Sequence, residues 1–338
     1  MTNPSLADVA KTGFVFGESK GWLTDVKLAQ DAALTTSPNT TVPAFLLQYV
    51  SPDVIEILTA KRAATRVFDE KKVGDWTTAN YQYAAVENVG STYAYADYGD
   101  GPSSGINNEW NIRDQYIYQT NITYGDREVD MSATAKIDLI AAKQRAAAEA
   151  IAIDSNKFYL QGVAGKRIYG LLNDPNLPAA ISPNTVSSAV TWASKLALEN
   201  GGTAAIYSDV LKMFSALQGQ MGGLIDENTP MKLLVSPGCA VNLMAATDFN
   251  VSVIDMLKKA MPNLTIETVP ECATSSGNIA MLIVPEIMGQ QTGELAFGEK
   301  IRQGRLVADL SSYRQKFAAS TYGFIMRMPA AFAVMSGI

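Results

Sequence analysis

The sequence predicts an α+β fold: a long β-hairpin, a long helix, an α/β subdomain and a strand-rich end, preceded by an arm. Three observations carry that expectation. Residues 73–124 alternate apolar and polar positions with a period of two. Residues 126–160 space their apolar side chains by three and four, with no glycine or proline among them. Residues 200–290 alternate helical and strand-like patterns.

Composition bounds the reading before any motif does. The chain has 338 residues, 47% of them hydrophobic, enough for one large domain or two to three subdomains. Charged residues make up 18%, below the ~25% of ordinary soluble domains. A sparsely charged surface suits burial against other subunits. The formal net charge is −6, whereas a dedicated nucleic-acid binder carries a basic excess to neutralise phosphates. Such a chain can enclose nucleic acid without gripping it.

Histidine is absent. That removes Ser-His-Asp and Cys-His nucleophilic sites, the zinc helix with two histidines, and the side chain that titrates nearest neutral pH. Carboxylate pairs, Ser-Lys dyads and lysine Schiff bases remain open to an enzyme. Any mild-acid trigger needs a strongly shifted carboxylate or a partner protein. Cys239 and Cys272 are no disulfide framework and are expected as buried, reduced fillers; their pairing is not legible. The first twenty residues lack a basic-then-apolar secretory signal, and no run approaches ~20 apolar residues. The expectation is a soluble protein made in the cytoplasm.

Taken in order, residues 1–50 read as an arm. Trp22, Val26, Ala29, Ala33 and Leu34 have helical spacing, and residues 35–43 form a polar, proline-marked linker. A frayed terminus is the other reading. Residues 51–72 start the body: Ser51-Pro52-Asp53 precedes a short helix or turn at 54–64, and Arg62, Arg66, Lys71 and Lys72 cluster ahead of a strand-like region. Residues 73–124 form the hairpin. Tyr81, Tyr83, Ala85 and Val89 alternate on one arm; Trp110, Ile112, Tyr116, Tyr118, Thr120, Ile122 and Tyr124 alternate on the other. Residues 97–105 make a glycine-rich tip. A two-stranded ribbon is marginal by itself, so it either rests on a neighbour or folds into its own core.

Residues 126–160 read as one helix of ~50 Å, with coiled coil as the weaker alternative; Gly162 and Gly165 stop it. The compact α/β stretch follows, with helices at 207–221, 237–246 and 251–261 and strands at 231–235, 264–269 and 279–284. Residues 294–338 are strand-rich.

Chemical motifs fail on spacing. The glycines at 99–105 precede a strand and miss the dinucleotide pattern by one residue; Gly162–Lys166 is too short for a phosphate loop. Asp126, Glu128 and Asp130 suit the positive end of a helix and need no catalysis. No catalytic, cofactor-binding or metal-ligating set emerges.

The ordered series resembles the major capsid proteins of tailed bacteriophages, whose fold encapsulins share. Tyr169-Gly170-Leu171-Leu172-Asn173 after the long helix is similar to that family's Gly-Leu-Leu-Asn segment. Asp255-Met256-Leu257-Lys258-Lys259, Pro262-Asn263-Leu264 and Val269-Pro270-Glu271 resemble its axial-domain helix and strand, and Phe324 through Ala331 its C-terminal strand. The resemblance implies an arm at 1–50, a peripheral domain that starts at 51–72 and continues over 125–199, where it contains the spine helix, an extended loop at 73–124, an axial domain at 200–293 and a return to the peripheral domain at 294–338. It further implies a non-enzymatic shell protein, forming pentamers and hexamers that close an icosahedral virion capsid around double-stranded DNA without sequence-specific binding. No cofactor and no membrane are involved. A scaffolding protein, a portal and a decoration protein are the expected partners, the short arm leaving no room for a built-in scaffold. Arg62, Arg66, Trp76, Tyr81, Tyr83, Trp110, Tyr116, Tyr118, Asp126 and Glu128 are the expected inter-subunit contacts. A nanocompartment enclosing a cargo enzyme is the alternative on the same fold, and a histidine-free enzyme the third reading. Lys71 and Lys72 lie near the hairpin base, not its tip, so the loop-lysine cross-link of some relatives is not carried over.

Overall fold

Period-two and helical patterns become elements only where each finds a partner to bury its apolar side. The structure, a computed structural model, describes residues 62–338 apart from 93, 95, 96, 98–103, 135–137, 199, 200 and 247–250. The expected arm and most of the hairpin tip lie outside the described residues. The first stretch holds α1 (Ala64–Val67), β1 (Glu70–Lys72), β2 (Asn80–Val89), β3 (Gly105–Asp114), β4 (Tyr116–Gly125), α2 (Asp126–Thr134) and α3 (Leu139–Gln161). The middle holds α4 (Trp192–Leu196), α5 (Gly202–Gln220), β5 (Met231–Val235), α6 (Pro237–Leu243), α7 (Val253–Ala260), β6 (Leu264–Thr268), β7 (Ala273–Thr274) and β8 (Gly277–Ile283). The last holds β9 (Glu286–Ile287), β10 (Gln290–Gln291), β11 (Gly293–Phe297), β12 (Arg302–Gln303), β13 (Val307–Ala308), β14 (Ser312–Met326) and β15 (Phe332–Ser336).

The hairpin is shorter than its alternation suggested. β2 and β3 pair antiparallel from Asn80↔Asp114 to Val89↔Gly105. The ribbon then ends at Gln115, whose backbone N–H donates to the Ala79 carbonyl at 2.8 Å and whose side-chain amide donates to the Asp75 carbonyl at 3.1 Å. β4 leaves the hairpin and pairs with β14 from Gly125↔Ser312 to Tyr116↔Thr321. Alternation reports that a strand has two faces; it does not name the strand's neighbour.

The long helix also divides. Asp138 has non-helical dihedrals, and its carboxylate accepts from the Ala141 N–H at 3.1 Å. An aspartate that caps a backbone donor starts a helix as readily as it tolerates a helix interior. The spine helix α3 is thus 23 residues, about 35 Å long. It ends where Gly162 takes φ +68°, with its N–H on the Phe158 carbonyl at 2.9 Å. Its buried face, Ala147 and Ile151, packs on Ile122, Tyr124, Phe317 and Ala319 of β4 and β14.

Six strands form one sheet in the order β1-β11-β14-β12, with β4 and β13 also on β14. A second sheet runs β15-β8-β5-β6, with β7 on β8. The β5–β6 pair is parallel and β8 antiparallel to β5. β5 is buried over nearly all its length and β8 over Ala280–Ile283, as strands covered on both faces must be. The strand at 231–235 falls where expected; α5 starts five residues before its predicted 207, at Gly202. The closing segment splits. β11 and β14 stay in the six-stranded sheet, whereas β15 crosses to pair with β8. Pro329 enforces the break, starting the single turn Pro329–Ala331 between them.

Cys239 and Cys272 are buried and unpaired with each other. Burial raises both thiols, Cys272 to about 12. Native protein at neutral pH is therefore expected to resist iodoacetamide, and denatured protein to take two adducts by intact mass; rapid native alkylation would contradict this burial.

Candidate assembly surface

The hairpin base is tied down by charge. Arg113, near the end of β3, donates to the Asp174 carboxylate at 2.7 Å, their side chains 5% and 0% exposed. The next residue, Asp114, accepts from the Arg167 guanidinium at 2.8 Å. Two consecutive residues of opposite sign thus meet two of opposite sign in the turn after α3. Burial raises the Asp174 carboxyl above its usual range, whereas the Arg167 hydrogen bond lowers that of Asp114. The Arg113 guanidinium also lies over the Tyr169 ring at 4.7 Å and near Tyr83 at 5.9 Å. The Tyr83 hydroxyl and Arg113 Nε are buried with no hydrogen-bond partner among the described residues.

The expected contact residues separate into groups. Tyr81 and Tyr83 stack at 5.9 Å and join Val73, Ala296, Tyr322 and Ile325. Tyr116 and Tyr118 flank Phe158 of α3 at 5.2 and 5.0 Å. The Tyr118 hydroxyl shares a 2.8 Å hydrogen bond with Ser155, and burial raises it to about 12. Trp76 lies half-buried beneath Arg302, 4.9 Å away. Arg62 reaches Glu149 at 3.6 Å and Arg66 reaches Glu267 at 2.7 Å. Glu128 pairs with Lys143 at 2.7 Å, which holds its carboxyl below the usual range. All these side chains have partners within the chain.

Trp110 and Asp126 are different. Asp126 is exposed at the start of α2. Trp110 is 65% exposed on β3, and Ile106, four residues earlier on the same face, is 62% exposed. Ile106 escaped the sequence reading, although its even-numbered position in the alternation was the available signal. Also missed was the stretch at 301–310, where Ile301, Leu306, Val307 and Leu310 are all exposed. Its signal was apolar residues interleaved with Arg302 and Arg305 in one short stretch.

A cleft of about 400 Å³ beside α3 is lined by Glu70, Tyr118, Ser155, Asn156 and Lys300, among others. Its polar groups are committed to holding structure: Asn156 accepts from the Ala63 and Ala64 N–H groups at 3.0 Å, Ser155 donates to the Ile151 carbonyl at 2.7 Å, and Lys300 pairs with Glu70. Among the described residues no group of three metal-ligating side chains converges, and no helix is long and apolar enough to cross a membrane.

The comparisons with known proteins fit this geometry. A family model described as Pa193 gp26 major capsid protein matches residues 33–337. No curated protein sequence matches. Among solved structures, the capsid of Myoviridae phage XM1 aligns with a TM-score of 0.70 at 10% identity, covering 89% of this chain and 100% of that one. The capsid of the native GTA particle aligns at 0.59 with 11% identity over 90% and 99%. A Mycobacterium phage Che8 chain aligns at 0.54 with 12% identity over 88% and 97%. At such identities the likeness to these structures is one of fold.

Proposed function

The chain belongs to the Pa193 gp26 major capsid protein family, and from that premise we propose that its copies form pentamers and hexamers that close an icosahedral shell around double-stranded phage DNA. One observation supports the hairpin as the element that links copies: the ribbon β2–β3 carries Ile106 and Trp110 on one face, exposed in the single chain. A two-stranded ribbon gains little by standing alone. Laid on a neighbour, it buries apolar surface, and the gain repeats at every symmetry-related contact.

On this reading the ribbon is the extended loop. The six-stranded sheet with α3 forms the peripheral domain, and residues 200–293, joined by β15, form the axial domain. The role is structural, not enzymatic. The net charge of −6 suits enclosing DNA over gripping it. A scaffolding protein, a portal and a decoration protein complete the particle, assembled in the host cytoplasm. No observation favours the nanocompartment alternative.

Replacing Ile106 and Trp110 together by serine tests this. The unassembled subunit should keep its melting temperature, both residues being surface positions. Closed particles, counted by electron microscopy beside light-scattering mass, should disappear or fall steeply. Wild-type yields of normal shells would overturn the hairpin's role.

A further inference from the structure

Among the described residues, the ribbon β2–β3 forms a sheet of its own and shares no ladder with the other strands. Chain connectivity alone would let it swing about its base, where β3 passes through Gln115 into β4. Each ten-residue strand runs about 33 Å. A swing of about 10° would therefore carry the far end, at Val89 and Gly105, through about 6 Å.

Two ion pairs oppose that swing, and they do so from opposite sides. Successive residues of a strand point to opposite faces. Arg113 lies on the face of Tyr81, its partner across the ladder, and donates to the Asp174 carboxylate. Asp114 lies on the other face, the one that carries Ile106 and Trp110, and there it meets Arg167. Arg167 grips it with side chain and backbone together. Its Nη2 donates to Oδ1 at 2.8 Å, its Nε and backbone N–H to Oδ2 at 3.3 and 3.2 Å, and its carbonyl accepts from the Asp114 N–H at 3.4 Å.

Both jaws of this grip are fixed to the end of α3. Val163 bridges Ile168 across the turn that carries Arg167. The Leu171 N–H donates to the Tyr159 carbonyl just ahead of Asp174, whose second oxygen accepts from the Asn176 N–H at 3.0 Å. A single tie resists the rotation that stretches it and permits the opposite one. Ties on the two faces of one strand resist both.

Resting on the capsid reading above, we propose that Arg167 and Asp174 are positioning residues, which grip the hairpin base from its two faces and hold the hairpin at the angle that assembly requires. They act through the hairpin and not by touching a neighbour. A ribbon free to swing presents its exposed face in the productive direction only part of the time, and the apparent affinity of each contact falls by that fraction. Ordering it within the free subunit reduces the entropy lost on contact.

The test is a polarity swap of the outer pair in the full chain. Arg167→Asp sets two acids against each other, Asp114→Arg sets two bases, and the variant carrying both restores an opposite pair. Spin labels at Ser104→Cys, near the hairpin tip, and Asp154→Cys, on α3, occupy exposed positions, while both native cysteines are buried. Pulsed electron resonance on the unassembled subunit then reads the spread of hairpin angles. The parent should give a narrow distance distribution, each single variant one about twice as wide or more, and the swap should narrow it again. Without the labels, the yield of closed particles should fall about tenfold or more in each single variant and recover in the swap. The subunit's melting temperature should change little, the outer pair being partly exposed. Unchanged widths in both single variants would overturn the clamp, even if shells were lost. Widened distributions with normal shells would overturn its link to assembly. A swap that restores neither readout would overturn charge pairing as the cause. If the parent itself forms no particles, the capsid reading fails, and the distance widths still decide the clamp.

Discussion

Replacing Asp209 by alanine is expected to destabilise the subunit by about 3–5 kcal/mol, the scale for breaking a buried ion pair from one side. Asp209 and Lys195 are both 0% exposed and in direct contact, which ties α4 to α5. The same carboxylate accepts from the Trp192 indole N–H at 3.0 Å and from the Asn184 backbone N–H at 2.8 Å. Removing it orphans two buried donors, one of them charged, and one half-buried N–H. Lys195→Met should cost less, because Asp209 keeps its two other donors. The double variant, Lys195→Met with Asp209→Leu, should be more stable than Asp209→Ala, because no buried charge is left unpaired. It should still fall short of the parent, with the Trp192 and Asn184 N–H groups left without an acceptor. Urea denaturation of the unassembled subunit measures all three. A double variant no better than Asp209→Ala would show that the pair's charge is not what the fold depends on.

Gly170→Ala is expected to cost about 3 kcal/mol or more, the upper end of overpacking penalties. A Cβ there would lie 2.3 Å from the Leu160 carbonyl carbon and 2.4 Å from both the Leu160 oxygen and the Gln161 nitrogen. All three atoms are backbone, and that backbone is locked. The Leu171 and Leu172 N–H groups donate to the Tyr159 and Leu160 carbonyls at 2.9 Å. Asn173 accepts from the Gly170 N–H at 2.7 Å and donates to the Gln161 carbonyl at 2.6 Å. The Gly-Leu-Leu-Asn segment therefore staples the returning chain against the last turn of α3. Gly219→Ala is the control. That glycine is exposed in α5 with nothing within 4 Å of an added Cβ, so the substitution should stabilise by up to about 1 kcal/mol. Comparable melting temperatures for the two variants would rule out the close approach at Gly170.

That segment shows what a sequence carries and what it withholds. Its residues were enough to point to a family, but not to say why they are needed there. The ordered series of hairpin, long helix, α/β middle and strand-rich end followed from periodicity, which encodes how many faces a segment has and how long it runs. So did the strand at 231–235. The absence of histidine, read from composition alone, removed most catalytic designs.

Tertiary structure decided the partners. β3 and β4 read as one arm until Gln115 bonded to Ala79 and β4 found β14. The helix read as continuous until Asp138 took the Ala141 N–H as a cap. Tyr81, Tyr83, Tyr116 and Tyr118 carried the right chemistry for an interface, yet each is packed within its own chain, leaving Trp110 and Ile106 uncovered. The reason is range. Faces and lengths are local, set by dihedrals and side-chain alternation along a few residues. Which face is covered depends on segments about 200 residues away, as with Tyr116 on β14, and on burial and charge that no local pattern records.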